Sequence, residues 1–161
     1  MKRTVISLMG LIISSSAFAA QDVKLNCFIK ERGTSDWNIV AKQKSPIVLK
    51  DDKGEAKIEL KFDLGNDEVI KVSGNSSVTI FKSDFGNGRV NESSVVSVSQ
   101  NVTVGSRNVR LSDLGRVGNL EDLTGGQDKE GNVTITDSST TFTLTDLNAT
   151  FVTYCGVTAK P

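Results

Sequence analysis

The chain has 161 residues, with 19 Lys+Arg balanced against 19 Asp+Glu and no histidine. Balanced charge without a basic block argues against nucleic acid, or an anionic membrane surface, as a partner. The missing histidine removes Ser-His-Asp catalysis, Cys-His catalysis and His-based zinc sites together.

Residues 1–19 read as a secretory signal peptide. Lys2 and Arg3 lead, an apolar run from Val5 to Ile13 follows, and Ala17-Phe18-Ala19 supplies an A-x-A site, so cleavage is expected after Ala19. The run is shorter than the roughly 20 residues that a membrane span needs, and no later stretch approaches that length, so no transmembrane anchor is expected. Residues 20–161 remain, a length suited to a single domain with one core. Without the signal, 17 cations face 19 anions. The short, basic-led signal points to a bacterial periplasmic or secreted protein.

The dominant hydrophobic period is two. Candidate strands run over 22–30, 37–41 and 46–50, and then over GEAKIELKFD, where Ala56, Ile58, Leu60 and Phe62 share one face. Glu55, Lys57, Glu59, Lys61 and Asp63 share the other, so this strand has one dry and one wet side. Further candidates are 68–73, 76–82 and 95–104. In the last of these, Val96, Val98, Val102 and Val104 form an apolar face that only Gln100 interrupts. The remainder are 107–111, 132–136, 140–146 and 150–158, mostly rich in β-branched residues. The segments DDKGE, DLGND, SGNSS, DFGNGR and DKEGN separate the runs with glycine beside Asp or Asn, the residue types that tolerate positive φ. This spacing predicts an all-β protein, an antiparallel β-sandwich, with a small closed β-barrel as the alternative. Residues 111–132 are the least strand-like and read as a loose connection between sheets, with a short helical turn at 119–123.

The chain holds two cysteines, Cys27 and Cys155. In DVKLNCFIK, Cys27 shares a face with Val23, Leu25 and Ile29. In ATFVTYCGV, Cys155 shares a face with Phe151, Thr153 and Val157. Both thiols therefore point to the more apolar side, and in an exported chain they are expected to form one disulfide joining the first and last strands. If those strands are antiparallel neighbours in register at the cysteines, Phe28 stands opposite Tyr154 on the outer face with Val152 nearby. These three residues are a candidate binding surface, unless another layer covers them. Trp37, the only tryptophan, follows a polar turn. Its structural role would be to open a strand and pack over the core, and its functional role to touch a sugar or a protein.

Other chemistry finds little support. No nucleophile elbow or phosphate-binding loop is present. Asp128, Glu130 and Asn132 have the first spacings of a calcium loop, but Val133 and Ser139 stand where glycine and glutamate are required. No catalytic residue, metal site or cofactor is assigned. Five N-x-[ST] triplets, at Asn75, Asn91, Asn101, Asn132 and Asn148, are read as chance in a Ser/Thr-rich chain. The leading expectation is an exported, non-catalytic binding module whose partner is a protein or glycan of the cell envelope, with inhibition of a protein as one form. The alternatives are a small carboxylate-dependent hydrolase of extracellular polymer and an assembly subunit that adds a strand.

Overall fold

The computed structural model describes residues 22–84, 86, 90–105, 107–113, 117–118 and 127–160. The signal sequence, the 119–123 turn and most of the 84–89 turn lie outside the described residues. Among the described residues nine strands form: β1 (Lys24–Arg32), β2 (Trp37–Pro46), β3 (Lys53–Gly65), β4 (Glu68–Asp84), β5 (Val90–Val104), β6 (Arg107–Asp113), β7 (Val117–Gly118), β8 (Val133–Leu144) and β9 (Ala149–Ala159). One 3₁₀ turn, Thr145–Leu147, precedes β9.

The strands build two antiparallel sheets that do not close into a barrel. One has the order β2-β1-β9-β8. The other has the order β3-β4-β5-β6, with β7 also paired to β5. The protein is therefore an antiparallel β-sandwich, and the first strand lies beside the last. Alternation explains the layering, because side chains along a strand point to opposite faces. Leu25, Cys27 and Ile29 of β1 and Phe151, Cys155 and Val157 of β9 meet Ile58, Ile70, Val72, Val78, Val96, Val98, Val102 and Val104 of the second sheet in one buried cluster. Glu55, Lys57, Glu59 and Lys61 of β3 lie on the exposed side, as the sequence pattern predicts.

Two expected breaks are absent. The 68–73 and 76–82 segments are one continuous strand, β4, and SGNSS is not a turn. Gly74 has φ 158°, close to fully extended, and around it β4 pairs in unbroken register with β3 and β5 on either side. Its glycine answers close approach: a Cβ there would collide with the carbonyl oxygen of Ser99. The 132–136 and 140–146 segments likewise merge into β8. Residues 37–46 form β2, whereas 46–50 leaves the sheet after Pro46 and crosses to the second one. Residues 111–113 complete β6 and 117–118 form β7, so part of the expected loose connection is strand. Real turns use left-handed residues: Asp51 and Asp52 between β2 and β3, and Gly65, Asn66 and Asp67 between β3 and β4.

Gln43 closes one seam of the sandwich. It lies on edge strand β2 of the first sheet. Its side-chain amide donates to the Lys57 carbonyl (2.7 Å) and accepts from the Glu59 N–H (2.9 Å) on edge strand β3 of the second.

Candidate functional site

Cys27 and Cys155 are bonded, with Cα atoms 4.1 Å apart and a sequence separation of 128. They are direct partners across the β1–β9 ladder. The short Cα separation belongs to a directly opposed cross-strand pair of the closely spaced kind. Both are buried on the inner face, so the period-two reading placed the sulfurs correctly.

That register fixes the opposite face. Phe28 pairs with Tyr154, and Lys30 pairs with Val152. The two rings stack with centroids 4.8 Å apart and an interplanar angle of 14°. The Lys30 ammonium stands 4.7 Å from the Phe28 centroid, in cation–π range. Beyond Tyr154 on the same strand lies Gly156, where a Cβ would collide with the Tyr154 hydroxyl. The ring thus runs along the strand over a position that must lack a side chain, the arrangement in which an aromatic covers a glycine in a sheet. Burial raises the Tyr154 phenol above its ordinary pKa. A hydrogen bond with Thr134 works in the other direction, and nearby Asp137 adds to the rise.

Trp37 joins this face by way of a bulge. Between β1 and β2 the register shifts after Ile29: Ile29 pairs with Ala41, but Lys30 pairs with Ile39 and Arg32 with Trp37. Val40 is the extra residue. The inserted residue reverses the alternation, so that Lys42, Ile39 and Trp37 all fall on the side of Phe28 and Lys30. Trp37 is 42% exposed and Ile39 56% exposed, so the tryptophan opens a strand without packing into the core. The four candidate residues Phe28, Tyr154, Val152 and Trp37 therefore share one outer face. Ile39 belongs with them and was invisible in the sequence, because strict alternation back from Lys42 puts it on the wrong side. Val152 and the two stacked rings are half-buried, and Lys42 is exposed. Beside Trp37, residues Arg32–Trp37 line a shallow depression of 350 Å³.

One end of this face is tied down. Asp128 Oδ1 accepts from the N–H groups of Glu130 (2.8 Å) and Asn132 (2.9 Å), and Oδ2 accepts from the Asn132 side-chain amide (3.0 Å). Glu130 pairs with Lys44 at 2.5 Å. Lys44 is on β2 and Glu130 leads into β8, the two opposite edges of the sheet. Three strand spacings, roughly 14 Å, separate those edges, so the 128–132 turn reaches back over this end of the sheet. Hydrogen bonds from Asn132 hold the Asp128 carboxyl below its usual range, and the Lys44 bond does the same for Glu130. A general acid needs a shift in the other direction. These oxygens, the ones with calcium-like spacing, are engaged by protein donors, and no cluster with metal-ligand character occurs among the described residues. Of the sequence triplets, Asn132 is buried in this turn, which leaves no access for a glycan.

No helix among the described residues is long and apolar enough to cross a membrane. Comparison with known proteins finds no matching family model, no matching curated protein and no matching solved structure. The fold and its face therefore stand on their own geometry.

Proposed function

We propose that the protein is an exported binding module, working in the periplasm or outside the cell, and that it engages an envelope protein or glycan through the outer face of the β2-β1-β9-β8 sheet. The observation that carries this reading is the Phe28–Tyr154 stack with Lys30 over the Phe28 ring, continued by Ile39 and Trp37 across β2. Aromatic side chains with a polar or cationic neighbour are the usual anchors of binding surfaces, because they bury much area for few frozen torsions. Lys30, Arg32 and Lys42 surround these anchors, which favours a partner with acidic groups around an apolar or sugar-ring centre. The disulfide suits an oxidising compartment and holds β1 against β9, the two strands that carry the stack.

The test is recovery of partners from envelope extracts of the native host. The disulfide-bonded protein should enrich one protein or glycan. A Phe28→Thr/Tyr154→Thr variant, folded to the same extent by circular dichroism, should lose that enrichment. Equal recovery by both would refute the assignment of this face, and consumption of a polymer substrate by the wild type would replace binding with hydrolysis.

A further inference from the structure

The free side of β3 carries a second surface, independent of the aromatic face. In an antiparallel strand the N–H and C=O of one residue point to the same side, and successive residues alternate. β3 pairs with β4, and the Gln43 amide meets the Lys57 carbonyl and the Glu59 N–H from the other side. Residues 57 and 59, and with them the other odd positions, therefore direct their backbone groups away from β4; the Lys53 N–H and C=O are already bonded to Lys50, so the open stretch begins at Glu55. These are the groups an added strand would need.

The odd positions also carry the exposed charges: Lys53, Glu55, Lys57, Glu59, Lys61 and Asp63. Consider a second copy of β3 laid antiparallel along this edge, with the two-fold axis at Ile58. Lys57 then faces Glu59 of the second copy and Glu55 faces Lys61. Every charge meets its opposite, and the symmetry doubles each pair. On the inner side Ile58 meets its own counterpart and Ala56 meets Leu60, so apolar lies against apolar. The outward odd residues pair with one another, so the backbone phase is also correct. A slip by two residues sets Lys57 against Lys57 and Glu55 against Glu59. A slip the other way sets Glu59 against Glu59 and Lys57 against Lys61. Charge thus rejects both neighbouring registers that the backbone permits.

We infer that the β3 edge is a self-association site, at which two copies form one continuous antiparallel sheet about a two-fold axis, and that Gln43 is its built-in competitor. Its amide occupies the central carbonyl and N–H that the second copy requires, so pairing releases Gln43 from both. The interface is isologous and closes at two copies.

Sedimentation velocity over a wide concentration range, on the full disulfide-bonded protein, tests this. Wild type should show reversible, concentration-dependent dimers. Gln43→Ala should dimerise more tightly, having lost the competing amide. Lys57→Glu places two like-charge pairs at the axis and should weaken dimerisation by about tenfold or more. Lys57→Glu/Glu59→Lys restores opposite charges and should restore the dimer. Both side chains are exposed, so circular dichroism should show the same fold throughout. Monomers at every concentration for both wild type and Gln43→Ala would overturn the inference. A dimer indifferent to Lys57→Glu, or one not rescued by the double exchange, would overturn it equally.

Discussion

Phe28 stacks on Tyr154 because Cys27 is bonded to Cys155. The two pairs are adjacent rungs of one β1–β9 ladder, one facing the core and the other facing out. A slip of β9 by one residue would turn Cys155 outward and Tyr154 inward, parting both pairs. The covalent bond therefore fixes the register on which the outer face depends.

Replacing both cysteines with alanine should lower stability substantially. Closing a loop of this length restricts the unfolded chain by an amount equivalent to about 5 kcal/mol in the chain-entropy treatment, and measured values usually fall below that ceiling. Thermal and denaturant melts of the oxidised protein against the double variant read the difference. A change below about 1 kcal/mol would mean that β1 and β9 are held by packing alone.

Tyr154 is the only tyrosine, so its ultraviolet titration reports one site. Its midpoint should lie above the ordinary value near 10, because burial in the stack disfavours the phenolate. The sign for stability follows: the contribution is complete below the unfolded-state pKa and is lost as pH rises through the raised folded value. Gly156→Ala should push the ring off the strand and bring the midpoint back towards 10. An unchanged midpoint in that variant would show that the ring does not depend on the glycine.

The 128–132 turn should loosen at both pH extremes. Asp128 and Glu130 have lowered values, so their contribution is present above the unfolded carboxylate range and is lost as pH falls through the folded values. Lys44 is raised, chiefly by its Glu130 hydrogen bond, so its contribution is lost as pH rises through the folded value. Amide exchange at Glu130 and Asn132, followed by NMR, should quicken in acid beyond the intrinsic pH trend. Asp128→Ala should quicken it already at neutral pH. Protection unaffected by that substitution would remove the carboxylate from its role.

Gly74→Ala should destabilise by about 2 kcal/mol or more, since the added methyl drives into the Ser99 backbone at the centre of β4 and β5. Denaturant midpoints measure this. A neutral result would show that the two strands can part there without loss.

The same glycine shows where the sequence was readable and where it was not. Alternation in β3, β5, β1 and β9 reports burial directly, so the sheets, the core residues and the inward sulfurs were legible. Gly74 and Asn75 carry the composition of a turn, yet their cause is close packing of extended strands, which composition does not distinguish. The outer face was half legible. Phe28, Tyr154 and Val152 follow from cysteine register, but Trp37 and Ile39 reach that face only through the bulge at Val40, a one-residue insertion that leaves no mark in the sequence. Gln43 looked like any surface amide, because its partners are backbone groups of another strand. The Lys44–Glu130 tie, 86 residues long in sequence, depends on sheet order, which local pattern does not reveal.

Differential acetylation of lysines, with and without host envelope extract, tests the binding face most directly. Lys30 and Lys42 lie on the aromatic face, whereas Lys57, Lys61 and Lys71 are exposed on the opposite sheet. Binding through the proposed face predicts protection of Lys30 and Lys42 with the other three still reactive. Protection confined to Lys57, Lys61 or Lys71, with Lys30 and Lys42 labelled as in the absence of extract, would contradict it.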